Sequence, residues 1–222
     1  MRHEYKHQIT YGDYLIISKR LQYLAKRDTH VQGEGTYQVN SLYFDNDKDK
    51  ALREKLDGVA KREKFRIRYY NNDTSYIRLE KKSKIYGLCD KQSAPLTKEE
   101  VIRLCDHDVT FLADTGNQLL QELYVKMKHQ LLRPKTIVIY DREPFVYEPG
   151  NVRITFDSHI RTGLYRNRLF TEGEVSIPAA PGVIIMEVKY DAFLPEVMQQ
   201  AVRVSDRPAA AFSKYAISRI YG

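Results

Sequence analysis

The chain has 222 residues, of which 42% are hydrophobic, and a formal net charge of +7. These numbers allow a sizeable core, and the lack of an apolar run of about 18 residues excludes a membrane-spanning helix. The positive charge indicates an anionic partner, which leaves nucleic acid, an acidic membrane surface and a phosphorylated small molecule open. The cysteines Cys89 and Cys105 lack metal-ligand spacing and are predicted to be reduced thiols. Together with an N-terminus unlike a signal peptide, they predict a cytoplasmic protein.

Hydrophobic patterns along the chain predict strands of period two and helices between them. In chain order, strands are expected at 2–9, 37–45, 62–71, 75–87, 136–148, 151–158, 167–177 and 183–191. Helices are expected at 11–27, 47–56, 97–106, 115–130 and 194–220, with a break near Pro208. Short turns around Asn72 and Gly150 predict two hairpins. Because no linker interrupts the sequence, residues 1–222 are expected to form a single α+β domain whose sheet is either open or closed into a barrel.

Charged residues recur on the polar face of most predicted strands. Since side chains alternate between the faces of a strand, Lys64, Arg66 and Arg68 share one face, opposite Phe65 and Ile67. Other strands repeat this arrangement, with Glu4 and Lys6, with Arg78, Glu80 and Lys82, with Arg153, Thr155 and Asp157, and with Glu187 and Lys189. One such strand is typical of a solvated face, but repeated arginine and lysine favour phosphate binding.

An inward-turned polar face would gather these cations in one volume. Unpaired buried charges are strongly destabilising, so the cations would require a polyanionic ligand or a wet interior. They are Lys6, Arg66, Arg68, Lys82, Arg142, Arg153, Lys189 and one more. The carboxylates Glu4, Glu80 and Glu187 either pair with these cations or hold a hard divalent ion, Mg²⁺ or Mn²⁺, that bridges phosphate oxygens.

Short motifs occur in an order that matches a known family. They are Arg2-His-Glu-Tyr-Lys6, Ser41-Leu-Tyr-Phe-Asp45, Arg66-Ile-Arg68-Tyr, Glu80-Lys-Lys82, Tyr140-Asp-Arg142, Arg153-Ile-Thr-Phe-Asp157, Glu187-Val-Lys189 and Phe212-Ser-Lys214-Tyr. The ordered set covers nearly the whole chain. It resembles the triphosphate tunnel metalloenzyme superfamily, and within it the polyphosphate polymerase domain of the vacuolar transporter chaperone (VTC) group.

The resemblance implies a fold and a set of site residues. The expected fold is α+β, an eight-stranded closed antiparallel β-barrel with surrounding helices. The expected catalytic residues are Arg66, Arg68, Arg142 and Arg153. The expected phosphate-binding residues are these four with Lys6, Lys82, Lys189, Ser213 and Lys214, which supplies the eighth cation. Glu187 matches the metal-binding position, with Glu4 and Glu80 as further candidates, and the expected cofactor is Mn²⁺ or Mg²⁺.

The resemblance also implies a reaction, in which the γ-phosphate of ATP is transferred to a growing inorganic polyphosphate chain. Arg78 departs from the family, where an apolar residue is commoner, and indicates either a tunnel mouth or an altered specificity. The inositol-phosphate-sensing domain and membrane helices of the eukaryotic proteins have no counterpart in this sequence. A stand-alone member of bacterial type is therefore expected.

Two other functions stay open for the same site. It could position water and hydrolyse tripolyphosphate, with Glu4 or Glu80 activating the water, or it could bind polyphosphate without catalysis. Nucleic-acid binding predicts cations interleaved with stacking aromatic residues. Tyr5, Tyr69 and Tyr190 instead take the parity opposite to the cations, which disfavours nucleic acid as a partner.

Overall fold

The computed structural model of the chain describes residues 3–28, 31, 35–86, 88–164, 166–170, 175–204 and 212–220. The strands in these ranges are His3–Ile9 (β1), Lys26–Arg27 (β2), Tyr37–Asp45 (β3), Lys61–Tyr70 (β4), Asp73–Ile85 (β5), Leu88–Leu96 (β6), Arg133–Tyr147 (β7), Val152–Thr162 (β8), Ile177–Pro178 (β9) and Ile184–Tyr190 (β10). The helices are Tyr11–Leu24 (α1), Lys50–Leu56 (α2), Lys98–Cys105 (α3), Gln118–His129 (α4), Glu196–Ala201 (α5) and Lys214–Ser218 (α6). None of these helices has the length and apolar character needed to cross a membrane.

Strand pairing links the chain into one sheet with the order β1-β10-β8-β7-β3-β4-β5-β6, while β2 pairs with β7 and β9 with β8. The pairs β1–β10, β10–β8, β3–β4, β4–β5 and β5–β6 are all antiparallel. Within the described residues no ladder joins β1 to β6, so the sheet is open. The expectation of a closed barrel is therefore wrong in this respect. The terminal strand β6 carries Pro95, which lacks the N–H that a further ladder would need.

Most of the predicted elements are present, and one predicted strand is not. The strand expected at 167–177 is wrong, because residues 166–170 form no strand and β9 contains only Ile177–Pro178. Residues 171–174, and Arg2 of the first motif, lie outside the described residues. In place of that strand the structure has β6, which the sequence pattern did not predict. The helix expected at 194–220 is divided into α5 and α6, with 205–211 outside the described residues.

The chain divides into two compact units, each built from three separate stretches. Unit 1 comprises Met1–Gln38, Tyr140–Ile160 and Ala180–Ser213, and unit 2 comprises Val39–Ile139, Arg161–Ala179 and Lys214–Gly222. The single domain expected from the sequence stays a prediction.

Unit 1 buries the apolar faces of its strands beneath α1 and α5. A capping box starts α1, in which the Thr10 side chain accepts from the Asp13 backbone N–H and the Asp13 side chain accepts from the Thr10 backbone N–H. The core contains Ile9, Ile17, Leu21, Phe145, Val152, Ile154, Phe156, Ile184, Met186, Val188, Met198, Ala201 and Val202. Val152, Ile154 and Phe156 alternate along β8 with polar residues, so the polar residues occupy the opposite face of this strand.

Unit 2 has its own core, formed by β3–β6 with α3 and α4. Phe65 and Ile67 of β4 and Ile77 and Leu79 of β5 are all buried in it. The helix α3 begins with a second capping box, between Thr97 and Glu100. As in unit 1, alternation along the strands leaves arginine, lysine and glutamate on the face opposite the core.

Candidate functional site

Arg142 is fixed within unit 1 by a bidentate ion pair with Asp157. Its Nε and Nη2 donate to Asp157 Oδ1 and Oδ2 at 2.7 and 2.8 Å. The two side chains are only 10% and 0% exposed. Burial by itself would lower the pKa of Arg142, but the carboxylate of Asp157 outweighs it and holds that pKa well above its usual range. Arg142 is therefore a permanent cation in a fixed orientation.

Glu187 lies among three cations of the same unit. Its Oε1 is 3.2 Å from Lys6 Nζ, and its Oε2 is 3.3 Å from Lys189 Nζ and 3.6 Å from Arg142 Nη2. The antiparallel registers produce this arrangement, because Lys6 pairs with Glu187 between β1 and β10. We call Glu4, Lys6, Arg142, Asp157, Glu187 and Lys189 the Glu187 cluster.

Both lysines of the Glu187 cluster bridge the same two carboxylates. Glu4 is 3.1 Å from Lys6 Nζ and 3.8 Å from Lys189 Nζ. Burial lowers the pKa of each lysine, but close contacts with Glu187 and Glu4 raise that of Lys6 above its usual range. For Lys189 burial prevails, assisted by the nearby charges of Arg142 and Lys6, and lowers its pKa to about 8. Three formal positive charges thus share three carboxylates, one of which, Asp157, is committed to Arg142.

Arg153 of β8 is held by a different pair of residues. Its Nη2 lies 2.7 Å from Asp28 Oδ2 and donates to the hydroxyl of Tyr37 at 3.2 Å. Neither partner was predicted from the sequence. Asp28 falls between a predicted helix and a predicted strand, where no local pattern marks it.

Glu80 is the centre of a second charged group, which belongs to unit 2. Its Oε2 accepts from Arg66 Nε at 2.7 Å and lies 3.8 Å from Arg68 Nη1, and its Oε1 is 2.5 Å from Lys91 Nζ. Burial would raise the pKa of Glu80, but Arg66, Arg68 and Lys91 hold it well below its usual range. We call Tyr43, Arg66, Arg68, Glu80 and Lys91 the Glu80 cluster.

Tyr43 extends the Glu80 cluster to β3. Its hydroxyl accepts a hydrogen bond from Arg66 Nη1 at 3.0 Å, and Arg68 Nε donates to Ser41 Oγ at 3.2 Å. Burial would raise the pKa of Tyr43, but Arg66, Lys64 and Arg68 together lower it to about 7. A buried tyrosine with this pKa reports a strongly positive environment.

Like charges face each other across β4, β5 and β6. In the register of these strands, Lys64 is opposite Lys82, which is opposite Lys91. Two positions further along the same face, beyond the pair of Arg66 and Glu80, Arg68 is opposite Arg78. Like charges at directly opposed positions destabilise a sheet, so this arrangement favours an anionic ligand on this face of unit 2. Lys91 was not predicted as a site residue because its strand, β6, was not predicted.

Lys214 begins α6, which is fastened to β3 within unit 2. The next residue, Tyr215, donates its hydroxyl to Asp45 Oδ2 at 2.6 Å and stacks on Tyr43 with ring centroids 5.1 Å apart. Asp45 also accepts from the backbone N–H groups of Ala51 and Leu52 at the start of α2. The Ser41–Asp45 motif therefore combines a residue of the Glu80 cluster with an anchor for two helices.

The predicted site residues divide between the two units. Lys6, Arg142, Arg153, Lys189, Glu4 and Glu187 are in unit 1, with the half-buried Ser213 at its C-terminal limit, whereas Arg66, Arg68, Lys82, Glu80 and Lys214 are in unit 2. Within unit 1 the structure brings Lys6, Lys189 and Arg142 together around Glu187, and within unit 2 it brings Arg66 and Arg68 together around Glu80. The expected convergence of all eight cations stays a prediction.

A family model for the VTC domain matches residues 1–220. The chain belongs to the VTC domain family. This confirms the resemblance based on the ordered motifs. No curated protein is significantly similar in sequence.

Two solved structures are similar to this VTC domain at low sequence identity. A putative adenylyl cyclase from Hippeastrum, described as having a dominant triphosphatase activity, is 13% identical with a TM-score of 0.54. The alignment covers 98% of this chain and 95% of that one. A putative adenylate cyclase from Bacillus halodurans is 13% identical with a TM-score of 0.47, over 84% of this chain and 78% of that one. The Hippeastrum protein supports an α+β fold organised around an antiparallel sheet.

The resemblance to the tunnel metalloenzymes implies a divalent metal, and the carboxylates of unit 1 fit one kind of site for it. The described residues contain no group of three or more histidine, cysteine, aspartate or glutamate side chains arranged to hold a metal. Mg²⁺, however, is commonly bound by one or two carboxylates together with substrate phosphates and water. Glu4 and Glu187 are such a pair, since both contact Lys6 and Lys189. Glu80 is engaged by Arg66 and Lys91 in the other unit.

Proposed function

We propose that this VTC domain is a metal-dependent phosphotransferase that transfers the γ-phosphate of ATP to a growing inorganic polyphosphate chain. The observation that carries the proposal is the Glu187 cluster, in which Lys6, Lys189 and Arg142 all lie within 3.6 Å of one buried carboxylate. The opposed lysines of β4, β5 and β6 support it, because they provide a second surface suited to anions.

The charge balance of the Glu187 cluster suggests how metal and phosphate binding are linked. Lys6 and Lys189 are now neutralised by Glu4 and Glu187. If Glu4 and Glu187 held a divalent ion, Lys6 and Lys189 would lose these partners and become available to phosphate oxygens. Binding of the metal and of the polyanion should therefore be mutually reinforcing. The bound metal itself would supply charge neutralisation at the phosphate oxygens.

The chain's own residues would act mainly by positioning and charge stabilisation. A terminal oxygen of the acceptor forms a bond to the γ-phosphorus of ATP, the bond from that phosphorus to the β–γ bridging oxygen breaks, and ADP leaves with the electron pair. Arg142, fixed by Asp157, and the released lysines would stabilise the negative charge that spreads over the transferred group. The acceptor is already ionised, so the reaction requires no strong general base.

Hydrolysis of tripolyphosphate is the second candidate, and the activity described for the Hippeastrum protein is consistent with it. It needs a group that activates water. Glu80 is poorly suited to that role because Arg66, Arg68 and Lys91 keep its pKa low, which makes it a weak base. Glu4, with a side chain 28% exposed, is the better placed carboxylate.

The test is to incubate the protein with ATP and either Mn²⁺ or Mg²⁺, with and without a short polyphosphate primer, and to resolve the products on a gel stained for polyphosphate. We expect chains to lengthen with the wild type and not with Glu187→Gln. Lys189→Ala should also prevent lengthening, and Lys26→Ala is its matched control, since Lys26 pairs with Glu148 on the surface, with side chains 83% and 78% exposed. It should retain full activity.

Other outcomes distinguish the alternatives. Conversion of added tripolyphosphate to phosphate and pyrophosphate, without chain growth, would establish the hydrolase. Tight polyphosphate binding without turnover would establish a non-catalytic binding module. Loss of activity in Lys26→Ala equal to that in Lys189→Ala would mean that overall charge, and not the Glu187 cluster, determines function.

A further inference from the structure

Thr155 has a buried hydroxyl without a partner in the middle of the polar face of β8. The residue is 2% exposed, and within the described part of the chain its Oγ1 is buried and makes no hydrogen bond. It lies between Arg153 and Asp157 on the strand, and it is directly opposite Glu187 in the register of β8 with β10. Its hydroxyl therefore belongs to the surroundings of the Glu187 cluster.

An unpaired hydroxyl at this position is unfavourable for the free protein. Burying a hydroxyl without a hydrogen bond is destabilising, and a side chain of the same shape without the oxygen would avoid that penalty. The ion pairs around it do not need the hydroxyl, because Arg142 bonds to both oxygens of Asp157 and two lysines bridge Glu187. Packing does not require it either, since the apolar side chains of β8 lie on its other face.

We propose that the Thr155 hydroxyl is a binding group that donates a hydrogen bond to a phosphate oxygen of the ligand held at the Glu187 cluster. The inference rests on the proposed function, in which Lys6 and Lys189 exchange their carboxylates for phosphate oxygens. That exchange exposes β8 to the ligand beside Glu187, where Thr155 is located. A hydroxyl serves there as a neutral donor that adds no further charge to the cluster.

The proposal is tested with two variants that separate the hydroxyl from the shape of the side chain. Thr155→Val keeps the shape and removes the hydroxyl, whereas Thr155→Ser keeps the hydroxyl and removes a methyl group. Affinity for inorganic tripolyphosphate is measured by titration calorimetry in a buffer containing Mg²⁺, and thermal unfolding is measured without ligand. We expect Thr155→Val to bind tripolyphosphate about tenfold more weakly, because it loses a hydrogen bond to a charged group. Thr155→Ser should bind like the wild type.

Thermal unfolding distinguishes this binding role from a structural one, because the two roles predict opposite changes in the unfolding temperature of Thr155→Val. Without ligand, Thr155→Val should unfold at the same temperature as the wild type or at a higher one, because it removes an unpaired buried hydroxyl. A lower unfolding temperature for Thr155→Val than for Thr155→Ser would show that the hydroxyl has a partner in the free protein, and would overturn the proposal.

The binding data separate this inference from the proposed function. If the wild type binds tripolyphosphate and Thr155→Val binds it equally well, the role of Thr155 is wrong and the proposed function stands. If the wild type has no affinity for tripolyphosphate, both are wrong. Weaker binding by Thr155→Val with normal binding by Thr155→Ser supports the proposal.

Discussion

Arg142 and Asp157 are joined by two hydrogen bonds, of 2.7 and 2.8 Å, and both side chains are almost entirely buried. A buried ion pair of this kind is expensive to break by removing one partner, because the other charge is left without compensation. The same pair fixes the orientation of a predicted phosphate-binding cation, so it connects the stability of unit 1 with the geometry of its candidate site.

Replacing Asp157 alone should therefore destabilise the protein strongly. We expect Asp157→Leu to lower the free energy of unfolding by about 3 kcal/mol, measured by urea denaturation. The double variant Arg142→Met with Asp157→Leu should recover most of this loss, because it removes both charges. A double variant as unstable as Asp157→Leu would mean that lost packing, and not an uncompensated charge, causes the effect.

Tyr43 should titrate near neutral pH. Its ordinary pKa of 10.0 is lowered to about 7 by the cations around it. The near-ultraviolet absorbance of tyrosinate should therefore appear in the native protein near pH 7 and be missing there in Tyr43→Phe. Tripolyphosphate should shift this titration to higher pH, because a bound anion opposes ionisation of the phenol. Identical titration curves for the wild type and Tyr43→Phe would contradict the assignment.

The same shift has a consequence for stability. Because the folded-state pKa of Tyr43 is below that of the unfolded chain, its ionisation stabilises the fold fully above pH 10 and the contribution disappears as pH falls through about 7. The difference in free energy of unfolding between the wild type and Tyr43→Phe should thus grow in favour of the wild type between pH 7 and pH 9. This difference approaches its upper limit of about 4 kcal/mol only above pH 10. A difference that is constant with pH would show that Tyr43 stays protonated.

Removing the Tyr215 hydroxyl should loosen the attachment of α6. Tyr215→Phe deletes the hydrogen bond to Asp45, which is buried and charged. We therefore expect the free energy of unfolding, measured by urea denaturation, to fall by about 2 kcal/mol. The backbone N–H groups of Ala51 and Leu52 also bond to Asp45, and their hydrogen exchange should change much less in Tyr215→Phe than in Asp45→Ala. Tyr86→Phe is a suitable control, since Tyr86 is 83% exposed and should tolerate the change. Equal effects of the two substitutions would argue against the anchor.

The two cysteines should differ in reactivity. Both are free, Cys89 being exposed and Cys105 buried. Burial raises the pKa of Cys105, which reduces its thiolate fraction as well as its accessibility. A thiol reagent should therefore modify Cys89 rapidly in the native protein and Cys105 only after denaturation. Rapid modification of both in the native state would show that α3 opens readily.

Alternation along the strands allowed much of the sheet to be predicted. The patterns around Phe65 and Ile67, and around Ile154 and Phe156, change polarity at every residue because one face packs on a core and the other carries charges. Such strands can be recognised locally. The strand β6 could not, because only Ala94 and Leu96 are buried in it and Pro95 separates them. An edge strand with little buried surface leaves almost no pattern.

The charged faces of the strands could be predicted, but the side chains that pair across the strands could not. Lys6 contacts Glu187, and Lys189 contacts Glu4, only because β1 pairs with β10 in one particular register. Asp28 beside Arg153 and Lys91 beside Glu80 depend on similar long-range pairing. A local pattern therefore distinguishes the charged face of a strand but does not decide between an ion pair and a metal ligand.

The pairing of β1 with β10 also constrains how the protein can be made. His3 is registered with Tyr190, and unit 1 draws its strands from the beginning, the middle and the end of the chain. During synthesis the first strand emerges from the ribosome long before its partner exists. Unit 1 must therefore complete its sheet late, and its early segments spend that time with unsatisfied strand edges. No single cut in the sequence would yield unit 1 as a continuous fragment. Expressing unit 1 alone would therefore require its three stretches to be joined in a new chain.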